Sequence, residues 1–220
     1  SSEPSPLAHE ILNGRPFTFL DDAPLEERRT RAVALRRGLP VEARELAALD
    51  PEAIARVRAE ELPQPRGAEE LHDHLLGFVL CPGQGDLQRD FEALAAAGRA
   101  AEALIEGRRL WCATERRRAA EVIHPEAIFE PRRPLPASLS AEPEPERQTV
   151  MREMIRGHLD RAGPATVESL AEPLALAGSD VELALADLEA EGFALRGEFE
   201  GSASGSTQFC ARRLLARIHR

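Results

Sequence analysis

The chain has 220 residues, 43% of them apolar, and a formal net charge of −10, so it contains enough hydrophobic material to bury a core. Its acidity disfavours a free-standing nucleic-acid-binding protein, which normally carries a basic surface, so any DNA contact would have to come from local patches. There is no apolar run of about 18 residues, no signal-peptide pattern and no lipidation signal, which favours a cytoplasmic protein over a membrane or secreted one.

Residues 1–49 are predicted to be a helical segment. One helix is expected near residues 6–13, followed by a turn. A second helix is expected after Asp22, which is a suitable N-cap, with Pro24 in its first turn and basic residues before Gly38 at its end.

Residues 50–130 form the first predicted module. Its apolar residues recur at helical spacing in three stretches, and each stretch is expected to bury one stripe. The stripes are Ile54 and Val57 after a start at Asp50-Pro51, then Leu71, Leu75 and Phe78, then Leu87, Phe91 and Leu94. Gly98 should end the third helix, because a positive φ there lets the chain turn back into a strand.

Residues 131–146 contain five prolines and are predicted to be an extended linker, because proline interrupts helices. Residues 147–220 form a second predicted module with the same order of helices. Its stripes are Val150, Met154 and Ile155, then Val167, Leu170 and Leu174, then Val181, Leu185 and Leu188 before Gly192.

The two modules resemble each other beyond their helices. After each third helix come a glycine, a stretch that ends in Glu-Gly, and an aromatic-Cys-Ala return at 111–113 or 209–211. Chance similarity of short Ala-, Leu- and Glu-rich segments is the alternative explanation. Three helices followed by a hairpin is the order of a winged-helix domain. We therefore predict a mainly α fold with small β-hairpins, of class α+β, with tandem winged-helix modules.

The predicted third helices do not suit the reading of DNA bases. A helix in the major groove presents Arg, Lys, Asn or Gln to the base edges. The third helix of the second module carries only acidic charges, and that of the first module is mixed. The acidic residues of the second are Asp180, Glu182, Asp187, Glu189 and Glu191. We expect these helices to pack against Arg-rich strands of another module or subunit.

Basic residues gather at the predicted hairpins and strand ends. They are candidates for contacts with the DNA backbone, which need no reading of sequence. The candidate nucleic-acid-binding residues are Arg108, Arg109, Arg116, Arg117, Arg212 and Arg213. The alternative, which the sequence favours, is that these side chains are solvated or paired with the abundant glutamates.

No residue is predicted to bind a metal or to catalyse a reaction. The three cysteines, Cys81, Cys112 and Cys210, cannot all pair and form no CxxC motif, so buried free thiols are expected. His72 and His74 are two residues apart on a predicted helix and point to different faces. The sequence also has no nucleotide-binding loop, GxSxG or HExxH motif, so an activity confined to this chain is not expected.

Several segments resemble the region after the motor core of the large helicase-related (Lhr) proteins of bacteria. They are distributed along most of the chain: residues 9–29 (HEILNGRPFTFLDDAPLEERR), 46–51, 70–73 (ELHD), 188–192 (LEAEG) and 210–220 (CARRLLARIHR). The resemblance implies part of an ATP-dependent 3′–5′ DNA helicase involved in DNA repair. ATP and Mg would bind in motor domains that lie outside this chain, and no cofactor is expected here.

The resemblance also implies tandem winged-helix modules associated with oligomer formation, with residues 1–49 as a helical segment that continues from the helicase core. The first hypothesis is therefore an assembly module that packs on the rest of the same helicase chain and on further copies. The second is a module that grips the DNA backbone through arginines of the hairpins. The third is part of a domain that resembles winged-helix DNA glycosylases, whose catalytic positions would lie beyond this chain.

Overall fold

The computed structural model describes residues 49–62, 64–200 and 206–219. Within these ranges helices predominate and the strands form two small antiparallel sheets, which confirms the predicted α+β class. The helices predicted before residue 49, most of the Gly/Ser-rich segment 201–207 and Arg220 lie outside the described residues. Among the described helices, none is both long and apolar enough to cross a bilayer.

The first half, residues 49–130, contains four helices and four strands in its described part. They are α1 (Pro51–Glu61), α2 (Ala68–Leu76), β1 (Cys81–Pro82), α3 (Gln88–Ala97), β2 (Ala100–Ile105), β3 (Arg108–Ala113), α4 (Arg117–Ile123) and β4 (Ile128–Glu130). The start of α1 is as predicted, because the Asp50 carboxylate accepts the Glu52 backbone N–H at 3.0 Å. Gly98 follows α3 with φ of 77°, which confirms the predicted reversal.

The four strands form one antiparallel sheet in the order β1-β3-β2-β4. β2 and β3 are the predicted hairpin, and Ile105 pairs with Arg108 at its end. Glu106 and Gly107 make the two-residue turn with φ of 47° and 81°, the left-handed conformation that such hairpin turns need. The strands β1 and β4 are not predicted from the sequence, because strands of two and three residues are too short to carry an alternating pattern.

Both faces of this sheet are covered over much of their area. Trp111 and Ala113 contact a core that includes residues of α2 and α3. There the Trp111 ring stacks on Phe91 with the ring centroids 4.2 Å apart. Leu110 and Cys112 point the opposite way, into a core that also contains residues of the second half. This double burial explains why most of β3 is apolar rather than alternating.

The second half, residues 147–219, begins with the longest described helix. Its elements are α6 (Arg147–Ala162), α7 (Val167–Ala171), α8 (Gly178–Ala190), β5 (Ala194–Gly197), β6 (Gln208–Ala211) and α9 (Arg212–Ile218). Between α6 and α7, Ala165 forms an antiparallel bridge with Phe209 through backbone hydrogen bonds of 2.8 and 2.7 Å. Gly192 follows α8 with φ of 74°, as predicted. The order is therefore helix, short extended segment, two helices, hairpin and a final helix.

Residues 131–146 join the halves and are mostly neither helix nor strand. They include one short helix, α5 (Ala137–Ser140). Arg118 of α4 donates to the carbonyls of Leu139 and Ser140 at 3.0 and 3.3 Å. The proline-rich segment is therefore bound to the first half.

α1 contacts the second half, although the sequence analysis groups it with the first module. It packs on α6 and α9. Leu49 donates its backbone N–H to the Phe199 carbonyl at 2.9 Å. Arg58 donates to the carbonyls of Ala162 and Pro164 at 2.9 and 2.6 Å. The halves share one core, and the module boundaries at 130 and 147 stay a prediction.

The two halves also meet at a glycine inside α6. A Cβ built on Gly157 would lie 2.7 Å from the carbonyl oxygen of Gly77, just after α2. Glycine inside a helix costs roughly 1 kcal/mol relative to alanine. At this position it allows the backbone of α6 to contact the end of α2 directly.

Candidate interaction surfaces

Arginine side chains bind backbone carbonyls at the ends of four helices. The last carbonyls of a helix lack partners within it and carry partial negative charge, so a guanidinium there stabilises the helix. The contacts are Arg116 with Leu76 of α2 (2.9 Å), Arg147 with Ile123 of α4 (2.8 Å), Arg118 with Ser140 of α5 (3.3 Å) and Arg58 with Ala162 of α6 (2.9 Å). These four arginines therefore stabilise the fold.

Arg116 and Arg117, two of the predicted nucleic-acid-binding residues, lie together at the start of α4 and bind groups of the protein. Besides capping α2, Arg116 pairs with Glu153 of α6 at 3.3 Å. Arg117 pairs with Glu121 at 2.9 Å, and its guanidinium lies 4.8 Å from the centre of the Phe129 ring. Its side chain is only 19% exposed. These two arginines are poorly placed to meet phosphates.

Arg213 connects three helices. It pairs with Glu61 of α1 at 2.7 Å and with Asp160 of α6 at 3.2 Å. Arg217 of the same helix, α9, also pairs with Glu61, whose side chain is only 13% exposed. Two arginines thus share the carboxylate of Glu61, and Arg213 links α9 to α1 and α6.

The remaining candidates are Arg108, Arg109 and Arg212. Arg108 and Arg109 are adjacent at the turn of the β2–β3 hairpin. Arg109 pairs with Glu102 at 2.8 Å but keeps 73% of its side chain exposed. Arg108, and Arg212 at the start of α9, have no ion-pair partner in the described ranges. The structure therefore places the half-buried Arg108 and the exposed Arg109 at the hairpin and leaves Arg212 in the other half.

One row of acidic residues on α8 and at its end faces α6 of the same half. The contacts are Asp180 with Arg147 (2.8 Å), Asp187 with Gln148 (3.1 Å), and Glu191 with Arg152 (3.3 Å) and Arg156. Residues of the same half therefore bind this row, whereas the sequence predicts a contact with another module or subunit. The other acidic residues of α8, Glu182 and Glu189, are exposed on its outward side.

The outward side of α8 has an apolar stripe. Leu183, Ala186 and Ala190 share it at helical spacing. Leu183 is 55% exposed. Between this stripe and α6 lies a groove of about 230 Å³, lined by Arg147, Gln148, Met151, Asp180, Leu183 and Ala184. We call the stripe and the groove together the α8 surface.

Two carboxylates border the α8 surface on the side away from α6. At 100° per residue, Glu182 and Glu189 project from the flank of the stripe opposite to Asp180 and Asp187. Both are exposed, and neither has a partner among residues 49–62, 64–200 and 206–219. The helix α8 itself contains no Arg, Lys or His. The potential along this border is therefore negative.

Two histidines lie at the contact between α2 and α6. The Phe78 ring lies between His74 and His158, with centroid distances of 4.9 and 4.7 Å, and the Arg161 guanidinium covers the same ring at 4.6 Å. His158 donates its Nε2 proton to the Leu80 carbonyl at 2.7 Å. Burial, helped by the nearby Arg161 charge, lowers the pKa of each histidine to about 4. Both rings are therefore neutral at physiological pH.

His72 has different surroundings from His74, as expected from their spacing. It is 5% exposed, its Nδ1 accepts from Arg99 at 3.0 Å, and its Nε2 lies 3.2 Å from the Glu115 carboxylate. In the described part of the chain, no group of three or more His, Cys, Asp or Glu side chains is arranged to hold a metal ion.

The three cysteines are buried and free, which confirms the prediction for them. Burial raises the pKa of Cys81 and of Cys210 to about 12. Burial also raises the pKa of Cys112. A thiol reacts as its thiolate, so these side chains are packing groups rather than nucleophiles.

Sequence reasoning missed the α8 surface and the carbonyl-binding arginines. Arg58 and Ala162 are 104 residues apart, and no local pattern marks such a pair. Leu183 carries a weak signal, because it falls outside the buried stripe of Val181, Leu185 and Leu188. No protein-family model matches the chain, and no curated protein matches it either.

Proposed function

We propose that this chain is a non-catalytic winged-helix assembly module from the C-terminal region of a large DNA helicase of the Lhr type. In the complete protein, an ATP-dependent motor would move 3′–5′ along DNA during repair, and it alone would bind ATP and Mg. The partners of the module would be the rest of the same helicase chain and further copies of it in an oligomer. A cytoplasmic location belongs to the same proposal.

The element order of the second half supports the winged-helix assignment. α6, the bridge at Ala165, α7, α8 and the β5–β6 hairpin follow one another in the order that a winged helix requires. Ala165 pairs with Phe209 of β6, and β6 also pairs with β5. The strand β6 therefore lies between the short extended segment at Ala165 and β5. In this assignment α8 is the helix that would enter a DNA groove.

The first half supports a second, modified module. Its sheet order β1-β3-β2 matches that of the second half, and its hairpin also follows a helix that ends at a glycine. It departs from the simple pattern in two respects. A 3₁₀ turn at Gly85–Leu87 stands where a full middle helix is expected, and β4 extends the sheet beyond β2.

The observation that carries the assembly function is the chemistry of α8. Its outward side combines an exposed leucine and two alanines with Glu182 and Glu189, which have no partner within the part of the chain that the structure describes. A DNA-reading helix needs donors for bases and cations for phosphates, and carboxylates near phosphates repel DNA. An apolar stripe with charged borders is instead typical of a surface that packs on another protein.

Size-exclusion chromatography with light scattering tests this proposal. We expect the measured mass to exceed the 24.1 kDa of one chain and to rise over a concentration range of about a hundredfold, because self-association follows mass action. A mass of one chain over the whole range would contradict self-assembly through these modules. Binding to the DNA backbone would then be the function to test next.

A specific observation favours that second function. Arg108 and Arg109 are consecutive residues beside the hairpin turn, on opposite faces of β3, and Arg109 is 73% exposed. A cation at such a turn suits phosphates without reading bases. The wild-type chain should then bind single-stranded DNA with an affinity that falls steeply with salt.

The double variant Arg108→Ala/Arg109→Ala, compared with Arg212→Ala, tests the hairpin as the DNA contact. Fluorescence anisotropy at several salt concentrations should show a salt slope lower by about 1 to 2 units for the double variant. If the wild type, the double variant and Arg212→Ala had the same salt slope, the hairpin would not be the DNA contact.

A further inference from the structure

We infer that the α8 surface docks a polypeptide segment that presents an apolar side chain flanked by Arg or Lys. The inference rests on the proposed assembly function and adds the surface and the chemistry of the partner. It follows from three features of the described residues: the size of the groove, the exposed leucine beside it, and the charge along its border.

The size of the groove suits a side chain better than a cofactor. Sites for small ligands usually have volumes of roughly 300–1,000 Å³, whereas this groove has about 230 Å³. Its floor is apolar, because it is formed by Met151 and Ala184, which are 4% and 3% exposed. An aliphatic side chain that enters the groove would contact this floor and cover the exposed part of Leu183. That is the geometry of an anchor residue in helix-in-groove recognition.

The carboxylates at the border of the α8 surface favour a basic partner. On the side of α6, the pair Arg147–Asp180 is already satisfied at 2.8 Å, and Arg147 also binds the Ile123 carbonyl. On the other side, Glu182 and Glu189 have no partner in the described part of the chain. A segment that seats its apolar residue in the groove and crosses the stripe of Leu183, Ala186 and Ala190 would bring a neighbouring side chain to these carboxylates, where Arg or Lys would form ion pairs.

Other occupants fit these charges less well. A nucleic acid or an anionic membrane would bring phosphates close to Glu182 and Glu189, and the repulsion would oppose binding. A second copy that used the same surface in a two-fold arrangement would place these carboxylates near their equivalents in the first copy. A basic peptide segment satisfies both the apolar groove and its acidic border.

A peptide selection tests this inference without a known partner. The probe is a phage-displayed library of random 12-residue peptides, selected on the immobilised full chain. We expect the selected peptides to contain an apolar residue flanked by Arg or Lys. Labelled synthetic copies are then titrated with wild-type and variant chains by fluorescence anisotropy.

Leu183→Ser should weaken the binding of these peptides by about tenfold or more, because it removes the apolar wall of the groove. Leu62→Ser is the matched control, since Leu62 is also exposed, at 62%, but lies at the end of α1. Glu182→Gln/Glu189→Gln should weaken binding by roughly threefold and reduce its salt dependence. Asp86→Asn/Glu126→Gln, which removes two exposed charges elsewhere, should leave the affinity unchanged.

Three results would overturn the inference: a selection that yields no peptide, peptides without the basic-apolar pattern, or undiminished binding to Leu183→Ser. Circular dichroism of each variant checks that it is folded. Light scattering on the same variants keeps the two proposals separate. An oligomer that dissociates in Leu183→Ser, with peptide binding lost as well, supports both, whereas a wild-type monomer that binds such peptides refutes self-assembly alone.

Discussion

His158 links the contact between α2 and α6 to pH. Its ring is neutral in the folded chain, with Nε2 bonded to the Leu80 carbonyl. Burial holds its pKa at about 4, below the ordinary value of 6.5. Because the pKa of the folded state is the lower one, the unfolded chain binds the proton more readily. The stabilising contribution is therefore complete above pH 6.5 and is lost as the pH falls from 6.5 to 4.

Replacing His158 by Gln, which retains an N–H donor, should weaken this pH dependence. The free energy of unfolding of the wild type should fall by at most roughly 3 kcal/mol more than that of the variant over this range. Urea titrations between pH 7 and pH 4.5 measure the difference. His219→Gln is the control, because His219 is exposed near the end of α9. If the free energy of unfolding changed equally with pH in wild type and His158→Gln, His158 would not be the source of this pH dependence.

At the scale of elements, the arginines that cap helices decide how distant segments pack. Arg58 is the clearest case, because it fixes α1 to the end of α6 through two carbonyls and also pairs with Glu200 at 2.8 Å. Removal of its guanidinium would leave the carbonyls of Ala162 and Pro164 without these donors. The loss of stability should therefore exceed the loss caused by removal of an ordinary surface charge.

Arg58→Met should lower the free energy of unfolding by about 2–3 kcal/mol. Arg56→Met, on the same helix, should change it by less than about 0.5 kcal/mol, because Arg56 is exposed and has no ion pair among the described residues. Urea denaturation of the two variants measures both effects. A similar loss in both would show that helix propensity, rather than the carbonyl contacts, is responsible.

Local signals in the sequence predict much of the element order but not how the elements are arranged. The Asp50-Pro51 start, the glycines at 98 and 192 and the β2–β3 hairpin each depend on neighbouring residues alone. The position of α1 depends on the contact of Arg58 with residues 104 and 106 positions away. β4 depends on its pairing with β2, and its three residues carry no pattern of their own.

The candidate site was harder to predict for the same reason. Charge alone marks Arg116, Arg117 and Arg213 as basic, and only their partners reveal that they stabilise the fold. The acidity of α8 is visible in the sequence, whereas the groove beside Leu183 requires α6 to be in place. Long-range contacts therefore decide which charged residues remain available for binding.

At the scale of the whole molecule, the shared core predicts that the two halves unfold together. Trp111 is the single tryptophan and lies in the first half, so its fluorescence reports on that half alone. Far-ultraviolet circular dichroism follows the helices of both halves. The two signals should give the same urea midpoint, as a cooperative transition requires.

Leu185→Ala, in the core of the second half, provides a sharper test. Leu185 is fully buried, so its truncation should cost about 2–5 kcal/mol. The midpoint of Trp111 fluorescence should then fall together with that of circular dichroism, although the mutation lies in the other half. A fluorescence midpoint that stays in place would show that the halves unfold independently.

The close approach at Gly157 makes the spacing of the halves depend on one missing methyl group. An added Cβ would meet the Gly77 carbonyl at 2.7 Å, and backbone on both sides leaves no flexible side chain to move aside. Alanine at this position would raise the helix propensity of α6 and still act as a wedge. The residue that α6 would favour as an isolated helix is therefore the one that the assembled molecule excludes.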